Sequence, residues 1–367
     1  MSLPLVIGSC EPFSGKSSVV LGLARHLIGK GFHLSIGKPL ATCMDGFQDL
    51  PAGAPLLDAD VRFMGFTLGL DDADLIPSLH VVEALSAHQR LISGELSPGQ
   101  GLDGLQKRLA AEGDAAPQVV LLEGPGSLSE GLLFGLDLVQ LSQRLQAPVV
   151  IVHPWHDSRN AEELLEAQQR LGDLLAGVIL NRVDPDMHEA LRQDVTPALQ
   201  KLGMPVLGII PRSPLLRSIS VADLASRLQA NVLCCQERLD LMVETLSIGA
   251  MNVNAAMEFF RKRRNMAVVT GADRTDIQLA ALEASTQCLI LTGVGEPLPQ
   301  LISRAEELEV PVLKVDHDTL TTVELVEAGI GHGRLHESMK ASHAMKHVLD
   351  HCDFERLYER MRLPVSA

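Results

Sequence analysis

The sequence predicts an α/β protein built on a doubly wound, mostly parallel sheet, followed by a second, smaller α/β domain. Two observations support this prediction. Short apolar runs without polar alternation recur along the first two thirds of the chain, and a second series of alternating strand and helix patterns begins after about residue 247. Runs of this kind indicate strands that are covered by helices on both faces, as in a doubly wound sheet.

The first domain is expected to span residues 1–246. An apolar stripe from Val20 to Ile28 repeats at steps of three and four residues, which predicts a helix that ends near Gly31. Stretches rich in Gly, Pro and Asp at residues 45–59, 97–104 and 112–117 are predicted to be loops or connectors. The predicted strands of this domain are residues 3–7, 35–37, 119–122, 149–152, 178–180, 206–210 and 232–235.

The second domain is expected to span residues 247–367. Turns at Gly271, Gly293 and Gly295 separate its elements, which form a βαβαβ pattern. A last helical pattern over residues 337–362 closes the domain. The other predicted elements are helices at 255–262, 276–284 and 299–308 and strands at 267–270, 288–292 and 310–315.

Charge and composition exclude several classes of function. The net charge of −15 and pI near 5.3 disfavour nucleic acids and anionic membranes as partners, because both require clustered basic residues. The basic run 261–264 is interpreted as the solvated end of a helix. No stretch approaches the ~18 apolar residues of a membrane span. Six cysteines without paired spacing predict a soluble protein of the reducing cytoplasm.

The N-terminal loop carries the most specific signal. A predicted strand precedes Gly8, and Gly15-Lys16-Ser17 opens the amphipathic helix, which is the strand–loop–helix context of a phosphate-binding loop. Backbone N–H groups at the helix start would face the β-phosphate, Lys16 would bridge the β- and γ-phosphates, and the Ser17 hydroxyl would bind magnesium. We therefore expect Ser14, Gly15, Lys16, Ser17 and Ser18 to bind ATP with Mg²⁺ in a sheet of the P-loop NTPase type. The standard spacing has a glycine where Cys10 stands, so the loop is a variant.

Two further residues follow predicted strands and are candidates for the same site. Glu123 comes directly after the strand 119–122, where a carboxylate reaches a bound metal ion. Its alternative role is that of a turn or helix-capping carboxylate. Lys38 follows the strand 35–37 and would neutralise γ-phosphate charge, although exposed lysines are also common in loops.

The first domain resembles the dethiobiotin synthetase and cobyrinic acid synthase group of P-loop proteins. The resemblance rests on five motifs in order, spread over about two hundred residues. Position 43 departs from it, because the synthetases have a glycine where Cys43 stands. The motifs are residues 8–17, Lys38-Pro39-Leu40-Ala41-Thr42, Glu123-Gly124-Pro125-Gly126, Gly177-Val178-Ile179-Leu180-Asn181 and Leu207-Gly208-Ile209-Ile210-Pro211.

The second domain resembles the DRTGG domain. The resemblance is carried by residues 248–251, by Gly271-Ala272-Asp273-Arg274-Thr275-Asp276 and by residues 291–293. A synthetase-like P-loop domain followed by a DRTGG domain is similar to the N-terminal part of the long bacterial phosphotransacetylases. Since the sequence ends at Ala367, we expect no acetyl-transferring domain and no phosphotransacetylase activity from this chain alone.

The resemblance implies roles for individual residues. Lys16, Lys38 and Glu123 would be the catalytic residues, and Ser17 with Glu123 would hold magnesium. Either Asp58 or Asp60 would add a further metal carboxylate, with Asp58 as the first choice. Asn181 and Pro211 would lie against the adenine. Both resembled families also imply pairing of P-loop domains in a dimer.

Other residue clusters leave alternatives open. His343, His347 and His351 recur every four residues, with His332 and His336 before them, and form either a metal site or a polar helix face at a contact. The pair Cys234-Cys235 is interpreted as core rather than as a redox pair. Asp273-Arg274 is either an anion contact or an ion pair within its turn.

Three functions remain possible on the sequence alone. The preferred one is a regulatory protein that binds and slowly hydrolyses Mg-ATP and relays that state through the DRTGG domain to a protein partner or small effector. The second is an ATP-dependent carboligase or ligase in which Lys38 and Thr42 hold a carboxylated substrate. The third is a scaffold that keeps ATP without turnover.

Overall fold

The computed structural model describes residues 2–42, 55–94, 99–111, 118–250, 252–331, 335–361 and 363. The chain divides into two compact units. The first unit comprises Met1–Arg212 together with Leu335–Ala367, and the second unit comprises Ser213–Arg334. Among the described residues, no helix is both long enough and apolar enough to cross a membrane.

The first unit is built on a seven-stranded, all-parallel sheet with the strand order β4-β2-β6-β1-β7-β8-β9. A separate short parallel pair is formed by β3 and β5. The reversal of strand order on either side of β1 creates a crevice at the carboxyl ends of the central strands, where ligands bind in such sheets. The strands are β1 (Ser2–Gly8), β2 (His33–Gly37), β3 (Leu40–Ala41), β4 (Leu75–Ile76), β5 (His80–Val81), β6 (Gln118–Glu123), β7 (Val149–Pro154), β8 (Leu175–Val183) and β9 (Val206–Pro211).

Helices cover both faces of this sheet and bury one apolar cluster on each face. The central strands are buried along their whole length, which explains why their sequences lack polar alternation. Asp137 caps α5 by accepting the N–H groups of Val139 and Gln140. The helices are α1 (Lys16–Gly29), α2 (Ala59–Leu68), α3 (Ala84–Ser93), α4 (Gly99–Ala111), α5 (Leu138–Leu145), α6 (Ala161–Leu171), α7 (His188–Ala190) and α8 (Thr196–Lys201).

The second unit has its own five-stranded sheet, ordered β11-β16-β15-β14-β13, and a short antiparallel pair of β10 with β12. Strands β13 to β16 are parallel, and β11 runs antiparallel at one edge. The strands are β10 (Ile219–Ser220), β11 (Asn231–Cys234), β12 (Met242–Val243), β13 (Thr245–Ile248), β14 (Met266–Gly271), β15 (Thr286–Thr292) and β16 (Val312–Lys314). The helices are α9 (Pro214–Arg217), α10 (Val221–Leu228), α11 (Val253–Phe260), α12 (Thr275–Leu282), α13 (Pro299–Glu307) and α14 (Thr319–Gly329).

The end of the chain returns to the first unit as α15 (Ser338–His351) and α16 (Glu355–Met361). Helix α15 packs along α1, and their axes approach closely at Gly22, where an added Cβ would lie 2.6 Å from the Cβ of Val348. Phe354, Leu357 and Tyr358 then join the apolar cluster beneath α1. The C-terminal helices are therefore part of the core of the first unit.

The predicted α/β fold class is confirmed, with one parallel sheet in each unit. The structure divides the chain differently from the predicted boundary at residues 246 and 247, which falls inside the second unit. The reason is that β13 pairs with β14, and that α15 buries its apolar face on α1.

Two local predictions were wrong. Residues 99–104 were expected to be a connector, but they begin α4, because Leu102, Leu105 and Leu109 form a buried stripe at helical spacing. Strand β11 was expected in the first parallel sheet, but it is the antiparallel edge of the second sheet and is only partly buried. The loop prediction for 112–117 lies outside the described residues, as does that for 45–54.

Candidate functional site

The loop between β1 and α1 is held open by glycine and by an amide from a neighbouring strand. Gly15 has a φ of +96°, a backbone conformation that favours glycine. Asn181, near the end of β8, donates from Nδ2 to the Ser14 carbonyl at 2.7 Å. Helix α1 starts at Lys16 without a side-chain cap among the described residues, so its first N–H groups face the loop. This is the arrangement that binds anions at a helix N-terminus.

Lys16 lies buried inside the loop. Its Nζ donates to Ser9 Oγ at 2.9 Å, and Ser9 Oγ in turn lies 2.8 Å from the Glu11 carbonyl and 2.9 Å from the Gly126 carbonyl. Burial lowers the pKa of Lys16, and Glu123 only partly opposes this effect. An ammonium group held away from water in this way gains stability when a phosphate provides a charged partner.

Lys38 is the second buried cation and stands at the end of β2. Its Nζ lies 2.7 Å from Asp60 Oδ2, 2.7 Å from Thr42 Oγ1, 3.5 Å from Asp58 Oδ2 and 3.7 Å from Glu123 Oε1. Burial lowers the pKa of Lys38, but the three carboxylates together raise it above its ordinary value. Lys38 is therefore a fixed positive charge, and its contact with a γ-phosphate stays a prediction.

The two aspartates around Lys38 differ in their hydrogen-bond partners. Asp58 is completely buried and uses both oxygens on backbone N–H groups, those of Thr42 at 2.9 Å and Asp60 at 2.8 Å. It is the N-cap of α2. Asp60 points its carboxylate at side chains instead, with Oδ2 on Lys38 and Oδ1 3.0 Å from His336 Nε2. Burial raises the pKa of Asp60, but the hydrogen bonds with His336 and Lys38 have the larger effect and hold the pKa below its ordinary value. The carboxylate therefore stays ionised.

Glu123 links Lys38 to the loop. Its Oε1 accepts from Ser17 Oγ at 3.2 Å, whereas its buried Oε2 has no hydrogen-bond partner among the described residues. Burial raises the pKa of Glu123, and Lys38 opposes the rise. The buried hydroxyl of Ser14 also lacks a partner within the described part of the chain. Unpartnered buried oxygens of this kind indicate a site shaped for groups beyond the chain itself.

The donor set fits a metal ion that arrives with phosphate. In the residues that the structure describes, no group of three or more His, Cys, Asp and Glu side chains is arranged to hold a metal alone. Magnesium ordinarily uses one or two carboxylates together with substrate phosphates and water. Ser17 and Glu123 supply a hydroxyl and a carboxylate side by side, which satisfies the protein's share of that requirement.

The residues expected at the adenine lie at the ends of β8 and β9. Asn181 contacts the loop as described above, and the carbonyl of Pro211 accepts from His347 Nε2 at 2.8 Å. Their contact with a base stays a prediction. His343 stacks on His347 with ring centroids 5.3 Å apart, and His351 packs on His347 at 4.7 Å. These three histidines therefore form a packed ladder that touches the end of β9, and His332 lies outside the described residues.

Two other predicted clusters are placed by the structure. Cys234 and Cys235 are buried in the core of the second unit, as predicted. Arg274 pairs with Asp276 at 3.4 Å on the surface, and an anion contact at Asp273-Arg274 stays a prediction. Cys43, which marks the departure from the synthetases, lies outside the described residues.

Sequence reasoning missed Ser9 and His336. Ser9 stands inside the loop motif, so its position next to Lys16 was a usable signal. His336 is 276 residues from Asp60 in sequence, and only the return of the C-terminal segment to the first unit brings the two together. No local pattern in the sequence reports such a pairing.

Comparisons with known proteins identify two family matches along the chain. The model of the AAA domain family matches residues 4–220, and the model of the DRTGG domain matches residues 223–328. The phosphate acetyltransferase of Synechocystis sp. is 26% identical over 324 residues, which cover 84% of this chain and 44% of that enzyme. The chain spans about half the length of the curated phosphate acetyltransferases it matches.

Two further proteins are similar to part of this chain. The ATP-dependent dethiobiotin synthetase of Pseudomonas aeruginosa is 30% identical over 203 residues, which cover 54% of this chain and 85% of that enzyme. The structure of the septum site-determining protein MinD with Mg-ADP from Pyrococcus horikoshii covers 59% of this chain and 84% of that protein, with 17% identity and a TM-score of 0.37. Since the family model covers more than half of the chain, this protein belongs to the AAA domain family, carries a DRTGG domain after its P-loop domain, and is a homologue of the phosphate acetyltransferases and dethiobiotin synthetases.

Proposed function

We propose that this protein binds Mg-ATP in the first unit and acts as a nucleotide-responsive regulatory protein. The observation that carries the proposal is the pair of buried ammonium groups, Lys16 and Lys38, on either side of Glu123 at the carboxyl edge of the sheet. Lys38 already has carboxylate partners, but the buried Lys16 at the N-terminus of α1 donates to the neutral Ser9 hydroxyl, and a buried cation is costly without an anionic partner. A triphosphate supplies that partner.

Each residue of the site has a role in this proposal. The loop N–H groups and Lys16 hold the β- and γ-phosphates, and Lys38 faces the γ-phosphate. Ser17 and Glu123 hold the magnesium ion, which would neutralise phosphate charge. Of the two aspartates, Asp60 is the better candidate for contact with the metal's water shell, because backbone N–H groups occupy both oxygens of Asp58. Asn181 and Pro211 lie toward the base.

The regulatory part of the proposal concerns the second unit. Its DRTGG domain would respond to the nucleotide and pass that state to a protein partner or a small effector. Such coupling requires that Mg-ATP binds two conformations of the chain with different affinity. Slow hydrolysis, a cytoplasmic location and pairing of P-loop domains as a dimer belong to the same proposal.

A ligase of the dethiobiotin synthetase type is the second candidate. The contact that favours it is the 2.7 Å hydrogen bond from Lys38 Nζ to Thr42 Oγ1, which places a cation and a hydroxyl together beside the phosphate loop. A carboxylated substrate would accept hydrogen bonds from both groups, and its carboxylate or carbamate oxygen would take the γ-phosphoryl group of ATP, with ADP as the leaving group. Phosphate release that rises only when a small carboxylated metabolite is added would favour this candidate over the regulatory one.

Calorimetric titration with Mg-ATP tests the proposal. Lys16→Ala removes the buried ammonium group and is expected to weaken binding by about 100-fold, as the loss of a charge-assisted contact with phosphate. The matched control is Lys201→Ala, which removes an exposed lysine of the same unit and is expected to bind as the native chain does. Equal affinity of the Lys16→Ala variant and the native chain would contradict the proposal.

A further inference from the structure

We propose that His336 is a positioning residue of the nucleotide site, which fixes Asp60 so that this carboxylate holds Lys38 toward the phosphates. The inference rests on the proposed function, because it assigns His336 to the same Mg-ATP site. It adds a residue of the C-terminal segment to a site otherwise built from residues 9–211.

The hydrogen-bond directions carry the first step. An ionised carboxylate only accepts hydrogen bonds, so the 3.0 Å contact requires that His336 Nε2 donates to Asp60 Oδ1. The other oxygen of Asp60 accepts from Lys38 Nζ at 2.7 Å. Asp60 therefore has one donor on each carboxylate oxygen. Together the two hydrogen bonds restrict the rotation of the carboxylate.

The neighbouring residues explain why Asp60 needs this support. Asp58 is fixed by two backbone N–H groups and is completely buried. The side chain of Asp60 is 17% exposed. A partly exposed carboxylate without a second donor exchanges its contacts with water. His336 removes that freedom at the oxygen that Lys38 does not occupy.

The position of His336 in the chain adds a consequence. Its ring packs on Phe63 of α2 with centroids 5.0 Å apart, so α2 holds both the histidine and its acceptor. His336 is also the second residue after Arg334, which is the last residue of the second unit. In sequence, the second unit is therefore followed within two residues by the donor of Asp60.

Two substitutions separate the hydrogen bond from the ring packing. His336→Gln keeps a side-chain N–H donor and loses the ring, whereas His336→Phe keeps the ring on Phe63 and loses the donor. The affinity for Mg-ATP is measured by calorimetry, and the melting temperature of each variant is measured beside it. His88→Ala, which removes an exposed histidine on α3, is the matched control.

We expect His336→Phe to bind Mg-ATP about tenfold more weakly than the native chain, since it loses a hydrogen bond to a charged group. His336→Gln should keep an affinity within about threefold, and His88→Ala should match the native chain. Full affinity in His336→Phe with weak binding in His336→Gln would overturn the inference and leave the proposed function intact. Absence of binding by the native chain would overturn both.

Discussion

The two units carry parallel sheets with the same kind of apolar core but differ at the carboxyl ends of their strands. In the first unit, the buried Lys38 meets three carboxylates there, the buried Lys16 donates to Ser9, and buried oxygens of Ser14 and Glu123 have no partner among the described residues. In the second unit, the buried threonines at these ends are neutral and hydrogen-bonded, whereas Arg274, Asp276 and Lys314 are not buried. Thr270 Oγ1 donates to the Gly249 carbonyl at 3.2 Å, and Thr292 Oγ1 lies 2.7 Å from Thr319 Oγ1.

The difference indicates that the carboxyl edge of the first sheet is less stable without a ligand than that of the second sheet. Buried charge and unpartnered polar atoms are destabilising unless a ligand completes them. At the same edge of the second sheet, Gln278 Oε1 lacks a partner among the described residues, but a neutral amide leaves no charge to balance. The charged edge of the first sheet is therefore the better candidate for a site that binds a highly charged ligand.

The largest expected effect comes from Gly15→Ala. A Cβ at this position would overlap the side-chain amide of Asn181, and the backbone φ of +96° disfavours any residue except glycine. Strain and overpacking together should lower the free energy of unfolding by about 2 to 5 kcal/mol and abolish Mg-ATP binding. Urea denaturation and calorimetry measure the two effects.

Gly29→Ala is the matched control for that substitution. An added Cβ at Gly29 meets nothing within 4 Å, and the residue ends α1 in helical conformation. The variant should be as stable as the native chain or more stable by up to about 1 kcal/mol. A loss of stability in this control equal to that of Gly15→Ala would show that the loop geometry is not the cause.

A smaller effect is expected from pH, through His153 in β7. This histidine is completely buried, its ring nitrogens have no hydrogen-bond partner among the described residues, and burial lowers its pKa. As the pH falls below about 6.5, His153 in the unfolded chain takes up a proton before His153 in the folded chain does. The contribution of His153 to stability is therefore complete above that pH and declines below it, by at most about 1.4 kcal/mol per pH unit.

Urea denaturation at pH 7.5 and 5.5 measures this decline. The decline should be smaller in His153→Phe, which fills the buried position with a ring that does not titrate. His26, His80 and His347 also have lowered pKa values, each mainly because of burial, so a residual decline is expected in the variant. An identical decline in the native chain and the variant would exclude His153 as a contributor.

The smallest effect is expected in the second unit, from Arg274→Ala. Arg274 is partly exposed and pairs with Asp276 at 3.4 Å on the surface, and such pairs contribute little to stability. The free energy of unfolding should change by no more than about 0.5 kcal/mol, and the Mg-ATP affinity should not change. A clear loss of Mg-ATP affinity would indicate that Arg274 contributes to nucleotide binding and would contradict this prediction.

The sequence predicted the central part of the fold and site because those signals are local. The apolar runs of β1, β6 and β7, and the loop before α1, are contiguous and have few structural interpretations. Lys38 directly follows β2 and Glu123 ends β6, so the parallel pairing of these strands brings both residues to one edge.

The remaining features depend on contacts between distant segments. An apolar run such as β11 fits a buried parallel strand and an antiparallel edge equally well, so its place in the second sheet was not predictable. The connector prediction for residues 99–104 relied on their glycines and overlooked the leucine spacing that is typical of a helix. The contact of His336 with Asp60 required the return of α15 to the first unit, which no local pattern indicates.

Hydrogen–deuterium exchange with and without Mg-ATP tests the central claim most directly, because it reports on both strand edges in one experiment. We predict slower exchange in residues 8–18 and 118–124 at saturating Mg-ATP. Protection of residues 271–276 without protection of residues 8–18, or no change anywhere at saturating nucleotide, would contradict this claim.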